Sequence, residues 1–322
     1  MVFIIYSQKF CCVFSSKVQC STMRFSVGYQ ENDVWIDAIV ANRMSVYECY
    51  FSFGTMPSGR HGVCDPMRQL DDLGRLADSG IALNILFNAN CYGGRAESKA
   101  LFGDIGDAIE RFSDGSALKS ITTTSPLVAR FVKENFPEIK TRASVNMEIG
   151  TVEGMEYLAD RFDGYYVKRE VNRDLAAFAG LKKWADANGK ELFMLANSGC
   201  LNYCSSHIFH DNLVAHEAEI AREDNGYAYR GSCWEYLKRE TDKAKITARW
   251  NWVAPEDIHL YEGLVSAAKL ATRVNVNPVR VLESYVAGSH AGNILDLMEP
   301  NHSSVLKDKF NLIEDEICSR AQ

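Results

Sequence analysis

The sequence predicts an α/β fold: a single (β/α)8 TIM-like barrel with a long insertion between its seventh and eighth strands. Three observations carry that expectation. From Met23 onward, short β-branched or aromatic runs alternate with amphipathic helical stretches, and such alternation builds a parallel sheet. Strand-like runs recur about eight times, the number that closes a barrel. No Gly-x-Gly-x-x-Gly follows the first of them, which argues against an open, doubly wound dinucleotide-binding sheet.

The strand runs are 24–29, 46–53, 81–88, 118–122, 140–145, 164–168, 191–196 and 267–271. Helices are expected between most of them, among others over 66–79, 125–135, 152–161 and 174–188. In the last of these, Leu175, Phe178, Ala179, Leu181, Trp184 and Ala185 recur at helical spacing. Gly189 follows where a helix end favours glycine. Ser125-Pro126 opens another helix, with serine as cap and proline in the first turn. No internal repeat or low-complexity linker interrupts the pattern. The irregular stretch 200–249 is the exception, and loops of that length inside a compact domain are usually functional.

Composition narrows the function. The chain has 322 residues, 47% hydrophobic and 24% charged, ordinary for a globular enzyme. A net charge of −7 gives no basic excess for nonspecific nucleic-acid binding. No run approaches the roughly 18 apolar residues of a membrane span. The ten cysteines are not a secreted disulfide framework, because a chain this large needs no such staples; a cytoplasmic location with metal-binding or catalytic thiols fits better. Residues 1–22 read as an unstructured leader or an over-called start, since no positive stretch precedes Val2-Phe3-Ile4-Ile5-Tyr6. Cys11, Cys12 and Cys20 are set aside with that leader, and the barrel is expected over 23–322.

Polar residues gather where the strands end, the carboxyl face on which barrel active sites are built. Cys91 follows the third strand and Cys200 the seventh; Cys204 stands one helical turn after Cys200, and Cys233 lies in the insertion. Residues four apart share one side of a helical turn, so Cys200 and Cys204 are expected to reach one metal centre. Four thiolates are what a [4Fe–4S] cluster asks for, which makes these cysteines the expected ligands, with Cys64 in reserve. Cys49 and Cys318 read as packing residues. His207, His210 and His216 follow closely and admit a rival Cys/His zinc site, although no Cys-x-x-Cys knuckle is present. Arg169, Arg173 and Arg273 are positioned to hold a carboxylate or phosphate. Asn88, Asn146 and Asn197, with His207 and His210, complete the expected substrate contacts.

The run Ala196-Asn197-Ser198-Gly199-Cys200 with Cys204, continued by His207-Ile208-Phe209-His210-Asp211-Asn212, resembles the collagenase-like peptidase family, peptidase U-32. Four further segments are similar to its short, single-domain branch: Asn88-Ala89-Asn90-Cys91, Arg142-Ala143-Ser144-Val145-Asn146, Asn172-Arg173-Asp174, and Trp252-Val253-Ala254-Pro255-Glu256-Asp257 leading to Lys269 and Arg273. The resemblance implies a barrel-like α/β fold and a four-cysteine [4Fe–4S] cluster. It also implies oxygen-independent hydroxylation, as in the family's anaerobic ubiquinone and RNA hydroxylation proteins, with prephenate as the donor in the RNA branch. A partner subunit of the same family is compatible with it. The chain departs from the fuller signature: the first cysteine comes one residue late, Cys-x-x-x-Cys replaces a longer spacing, and there is no room for the RNA-associated carboxyl-terminal domain. The expected function is therefore oxygen-independent hydroxylation or related redox chemistry on a ring-containing small molecule or nucleobase. The alternatives are a collagenase-like peptidase and a non-catalytic, cluster-binding subunit. Against a hydrolase, the chain carries no His-Glu-x-x-His and no Gly-x-Ser-x-Gly.

Overall fold

A computed structural model describes residues 23–59, 64–113, 117–306 and 309. Eight parallel strands pair in chain order and the eighth closes on the first. They are β1 (Phe25–Gly28), β2 (Val46–Phe51), β3 (Ala82–Phe87), β4 (Leu118–Thr123), β5 (Lys140–Ala143), β6 (Gly164–Tyr166), β7 (Glu191–Leu195) and β8 (Ala267–Leu270). The expected barrel is present, and each strand falls within a residue or two of its predicted run. The leader 1–22, with Cys11, Cys12 and Cys20, and also Cys318, lie outside the described residues.

Around the barrel run α1 (Asp33–Ala41), α2 (Pro66–Asp78), α3 (Lys99–Ser113), α4 (Pro126–Asn135), α5 (Val152–Glu156) and α6 (Leu175–Ala187). Local chemistry sets their ends. Ser125 accepts the Val128 N–H at the start of α4, and Asp65 accepts the N–H groups of Met67 and Arg68 at the start of α2. Gly189 takes a φ of 63° just past α6, the left-handed conformation that glycine adopts without a side-chain clash. The helix expected over 152–161 stops early. Beyond Glu156 the Leu158, Ala159 and Arg161 N–H groups bond three residues back rather than four, and this tighter winding delivers Phe162 to the core with no exposed surface.

The insertion between β7 and β8 folds into four helices, α7 (His207–Ala215), α8 (Glu217–Ile220), α9 (Ser232–Arg239) and α10 (Lys243–Arg249). Leu237 and Ile246 anchor it to the barrel. After β8 come α11 (Pro278–Ala287) and α12 (Ser303–Leu306). No described helix is long and apolar enough to cross a membrane.

Most of the apolar core lies between barrel and helices, with Trp35, Ile105, Phe112, Val132, Phe178 and Tyr285 among its buried members. The barrel interior is different. A small apolar layer of Tyr166, Phe193, Leu195 and Ala267 adjoins a polar network centred on Glu48 of β2. One Glu48 oxygen accepts from Ser26 (3.0 Å), Asn84 (3.3 Å) and Tyr166 (3.4 Å). The other accepts from Ser120 (3.3 Å) and from the Arg142 guanidinium (2.5 Å). Glu48 and Arg142 are both buried, and the Arg142 guanidinium also lies 4.3 Å from the Phe193 ring centroid. One carboxylate thereby joins side chains from six strands, β1 to β6.

Removing one partner of such a pair strands the other charge in a dry interior. Glu48→Ala is therefore expected to cost about 3–5 kcal/mol, and replacing both Glu48 and Arg142 by apolar residues of matched volume considerably less. Urea unfolding of the two variants checks the order.

Candidate functional site

Lys269 sits near the carboxyl end of β8 and points up the barrel. It pairs in register with Ser26 of β1 and Leu195 of β7, so it shares the inward face with the Glu48 network. Its ammonium lies 3.9 Å from the Tyr50 ring centroid and 5.1 Å from that of Tyr166. Burial, and then the charge of Arg273, bring its pKa from the ordinary 10.5 down to about 7. Arg142 and Arg169 push the same way, and Glu48 opposes them. A lysine in this environment is largely neutral just above neutral pH.

Above Lys269 the strand ends enclose a cavity of about 130 Å³, lined among others by Asn88, Asn146, Arg169, Arg273 and Lys269. Arg169, beyond β6, donates to Asn146 Oδ1 (3.0 Å) and meets His207 Nε2. The Arg169 Nε is buried and has no hydrogen-bond partner among the described residues. Asn146 in turn donates to the Asn88 carbonyl (3.3 Å), and Asn88 Oδ1 accepts from the Gly59 N–H (3.1 Å). Arg273 donates to Ser58 Oγ (3.0 Å). A Cβ on Gly28 would stand 2.9 Å from the Arg273 backbone nitrogen, so the absence of a side chain there lets the Arg273 loop close over β1.

His207 opens α7 and is held on two sides, by Asp211 Oδ2 at 2.9 Å and Glu148 Oε1 at 3.4 Å. Burial works against the Asp211 charge, yet His207 and Arg169 keep its pKa below the ordinary carboxylate value. His207 thus tethers the insertion to Arg169.

A second, larger cavity of about 780 Å³ lies under the insertion. Cys200, Cys204 and Cys233 all line it, with His207, His210, Arg169, Tyr229 and Trp234. Burial, then the nearby Cys200 and Cys204, raise the Cys233 pKa to about 11. Cys200, His210, Arg169 and Pro300 border both cavities, so the thiols adjoin the barrel mouth. The expected helical turn across Cys200 and Cys204 does not form. Leu201 bridges Trp250 instead, Tyr203 takes a φ of 54°, and the helix begins only at His207; a turn, not a helix face, brings the two thiols to one wall. Gly199 packs against the segment after Met298, where a Cβ would meet the Pro300 carbonyl oxygen at 2.3 Å.

The other predicted residues are placed apart. Cys91 is exposed and accepts the Gly93 N–H at 3.4 Å. A hydrogen bond from His216, then that N–H, lower its pKa. Cys64 borders a different hollow, beside Tyr29 and Gln69. Arg173 donates to the Thr247 carbonyl at 2.9 Å and braces the insertion from outside. Asn197 is buried; its side-chain amide donates to the Leu297 carbonyl (2.9 Å) and accepts the Ala271 N–H (2.6 Å). Among the described residues, no three His, Cys, Asp or Glu side chains stand together as a ready metal site. Lys269 was absent from the expected site, although a lone lysine inside the strand run Ala267-Ala268-Lys269-Leu270 is a visible signal, because a strand buried on both faces rarely carries one.

The lowered Lys269 pKa has a consequence for stability. Between about pH 7 and 10.5 the unfolded chain holds a proton there that the folded chain has released, so stability contributed by this group rises with pH across that window. Lys269→Met is expected to flatten the slope of unfolding free energy against pH, measured by urea melts.

No protein-family model matches the chain, and no curated protein matches its sequence. Among solved structures it is similar to the U32 peptidase Mk0906, with a TM-score of 0.57 and 14% identity over 77% of this chain and 92% of that one. The citrate synthase SbnG follows at a TM-score of 0.36 and 11% identity, over 55% of this chain and 79% of that one. At that identity the likeness to the U32 peptidase is one of fold: the chain has its closed barrel, over nearly that protein's whole length.

Proposed function

We propose that this chain is a peptidase U-32-type iron–sulfur protein that carries out oxygen-independent hydroxylation or related redox chemistry on a ring-containing small molecule or nucleobase. The observation that carries the reading is the convergence of Cys200, Cys204 and Cys233 on one cavity beside the barrel mouth. Soft thiolates are the donors a cluster takes. Three of them in one cavity repel one another when ionised, a cost that an iron centre relieves. The donor set therefore fits, with His210 and His207 lining the same cavity. A bound cluster supplies one-electron chemistry. The chain's own residues would do the rest: Arg169 and Arg273 orient an anionic group, Tyr229 and Trp234 offer faces to a flat ring, and the insertion excludes water. The sequence resemblance and the shared fold with a U32 peptidase support the family reading.

A thiol hydrolase is the second reading, favoured by Cys91 and His216. His216 Nδ1 is 2.7 Å from Glu219 Oε2, and the hydrogen bond with Cys91, then Glu219, raises its pKa. A thiol, an imidazole and an orienting carboxylate are the parts of a nucleophile–base pair.

Anaerobic purification with a visible spectrum and iron and sulfide assays tests the first reading. Cys200→Ala, Cys204→Ala and Cys233→Ala are each expected to abolish the brown absorption, while Cys91→Ala and Cys318→Ala retain it. One equivalent of zinc, no iron and a native fold would overturn it. An iron-free protein whose peptide cleavage disappears with Cys91→Ala would establish the hydrolase instead.

A further inference from the structure

Lys269 has no role in the reading above, and its surroundings are unusual for a structural lysine. The residue is 8% exposed, yet the ammonium makes no hydrogen bond or ion pair with any described residue. Its contacts are the faces of Tyr50 and Tyr166. Buried ammonium groups are ordinarily paired. Here Glu48, the carboxylate whose charge acts on Lys269, is engaged by Arg142 at 2.5 Å. The polar end of Lys269 faces the cavity of about 130 Å³, whose walls also carry Arg169 and Arg273.

We infer that Lys269 is an imine-forming nucleophile for a small carbonyl compound that carries a carboxylate. The carboxylate is recognised by Arg169, whose buried Nε has no hydrogen-bond partner among the described residues, and by Arg273; Asn88 and Asn146 border the same space. The Nζ lone pair attacks the carbonyl carbon, both amine hydrogens leave with the carbonyl oxygen as water, and a C=N bond replaces C=O. Nothing is oxidised or reduced, so the step needs no cluster and stands apart from the proposed function. A neutral amine is required. The groups facing Lys269 are Glu48 and Tyr50 from β2, Arg142 from β5, Tyr166 from β6, Arg169 beyond it and Arg273 beyond β8; burial and the three arginines favour the neutral form near pH 7, against the charge of Glu48.

The test uses the full chain, both metal-free and after anaerobic iron reconstitution, incubated with pyruvate, 2-oxoglutarate or acetone and reduced by sodium cyanoborohydride. Hydride converts an imine to a stable secondary amine, and peptide mapping by mass spectrometry locates it. The expected result is a label on Lys269 with an oxo acid, absent with borohydride reagent alone and in Lys269→Arg. Acetone, which has no carboxylate, should label Lys269 at least about tenfold more slowly, and Arg273→Gln should slow oxo-acid labelling by a similar factor, the size of one lost charge-assisted contact. Label spread over exposed lysines such as Lys140 and Lys245 with none on Lys269, equal labelling by acetone, or no label in protein shown to be folded by circular dichroism would each overturn the inference. Iron content, measured on the same samples, reports on the cluster separately.

Discussion

Everything at the barrel mouth depends on the buried pair between Glu48 and Arg142. A closed parallel barrel of short strands has to fill its centre, and this one does so with a carboxylate that takes hydrogen bonds from β1, β3, β4 and β6 and an ion pair from β5. Charges removed from water are costly unless every lone pair finds a donor. The five donors around Glu48 meet that condition. They also fix the relative register of six strands, since sliding any one would strand a donor.

The same arrangement controls the chemistry above it. Because Glu48 is committed to Arg142, Lys269 has no ion-pair partner among the described residues, and the guanidiniums of Arg142, Arg169 and Arg273 add like charge around it. A polar centre of this kind keeps the floor of the mouth rigid and electropositive. An anionic group entering from above would be drawn to Arg169 and Arg273, whose own positions are held by Asn146, His207 and Ser58.

The insertion builds the second half of the site. Its helices are thinly anchored, by Leu237 and Ile246 in the core and by backbone bonds from Asn202 to Arg249 and Asn251 to Cys200. Lys309 adds donors to the Leu237 and Lys238 carbonyls at the end of α9. Large apolar side chains remain exposed on it, among them Tyr203, Ile208, Phe209 and Tyr227. These helices border the cavity that the three thiols line.

The sequence by itself determined the barrel and its order. Strand periodicity, caps such as Ser125 and the glycine after α6 act over a few residues, so they can be read without knowing what packs against them. The same local logic located Cys200, Arg169, Arg273, Asn88 and Asn146 just beyond the ends of strands. It failed where long-range contacts decide. Only the folded barrel separates Cys91, beside His216, from the three thiols under the insertion, because the path of 71 residues between β7 and β8 carries no periodic signal. Only the barrel turns Asn197 and Arg173 into braces, by bringing Leu297 and Thr247 against them. And only closure of β8 onto β1 sets the lone lysine of that strand in one interior with a carboxylate already engaged by arginine; burial and neighbouring charge, which no spacing encodes, then lower the pKa of Lys269.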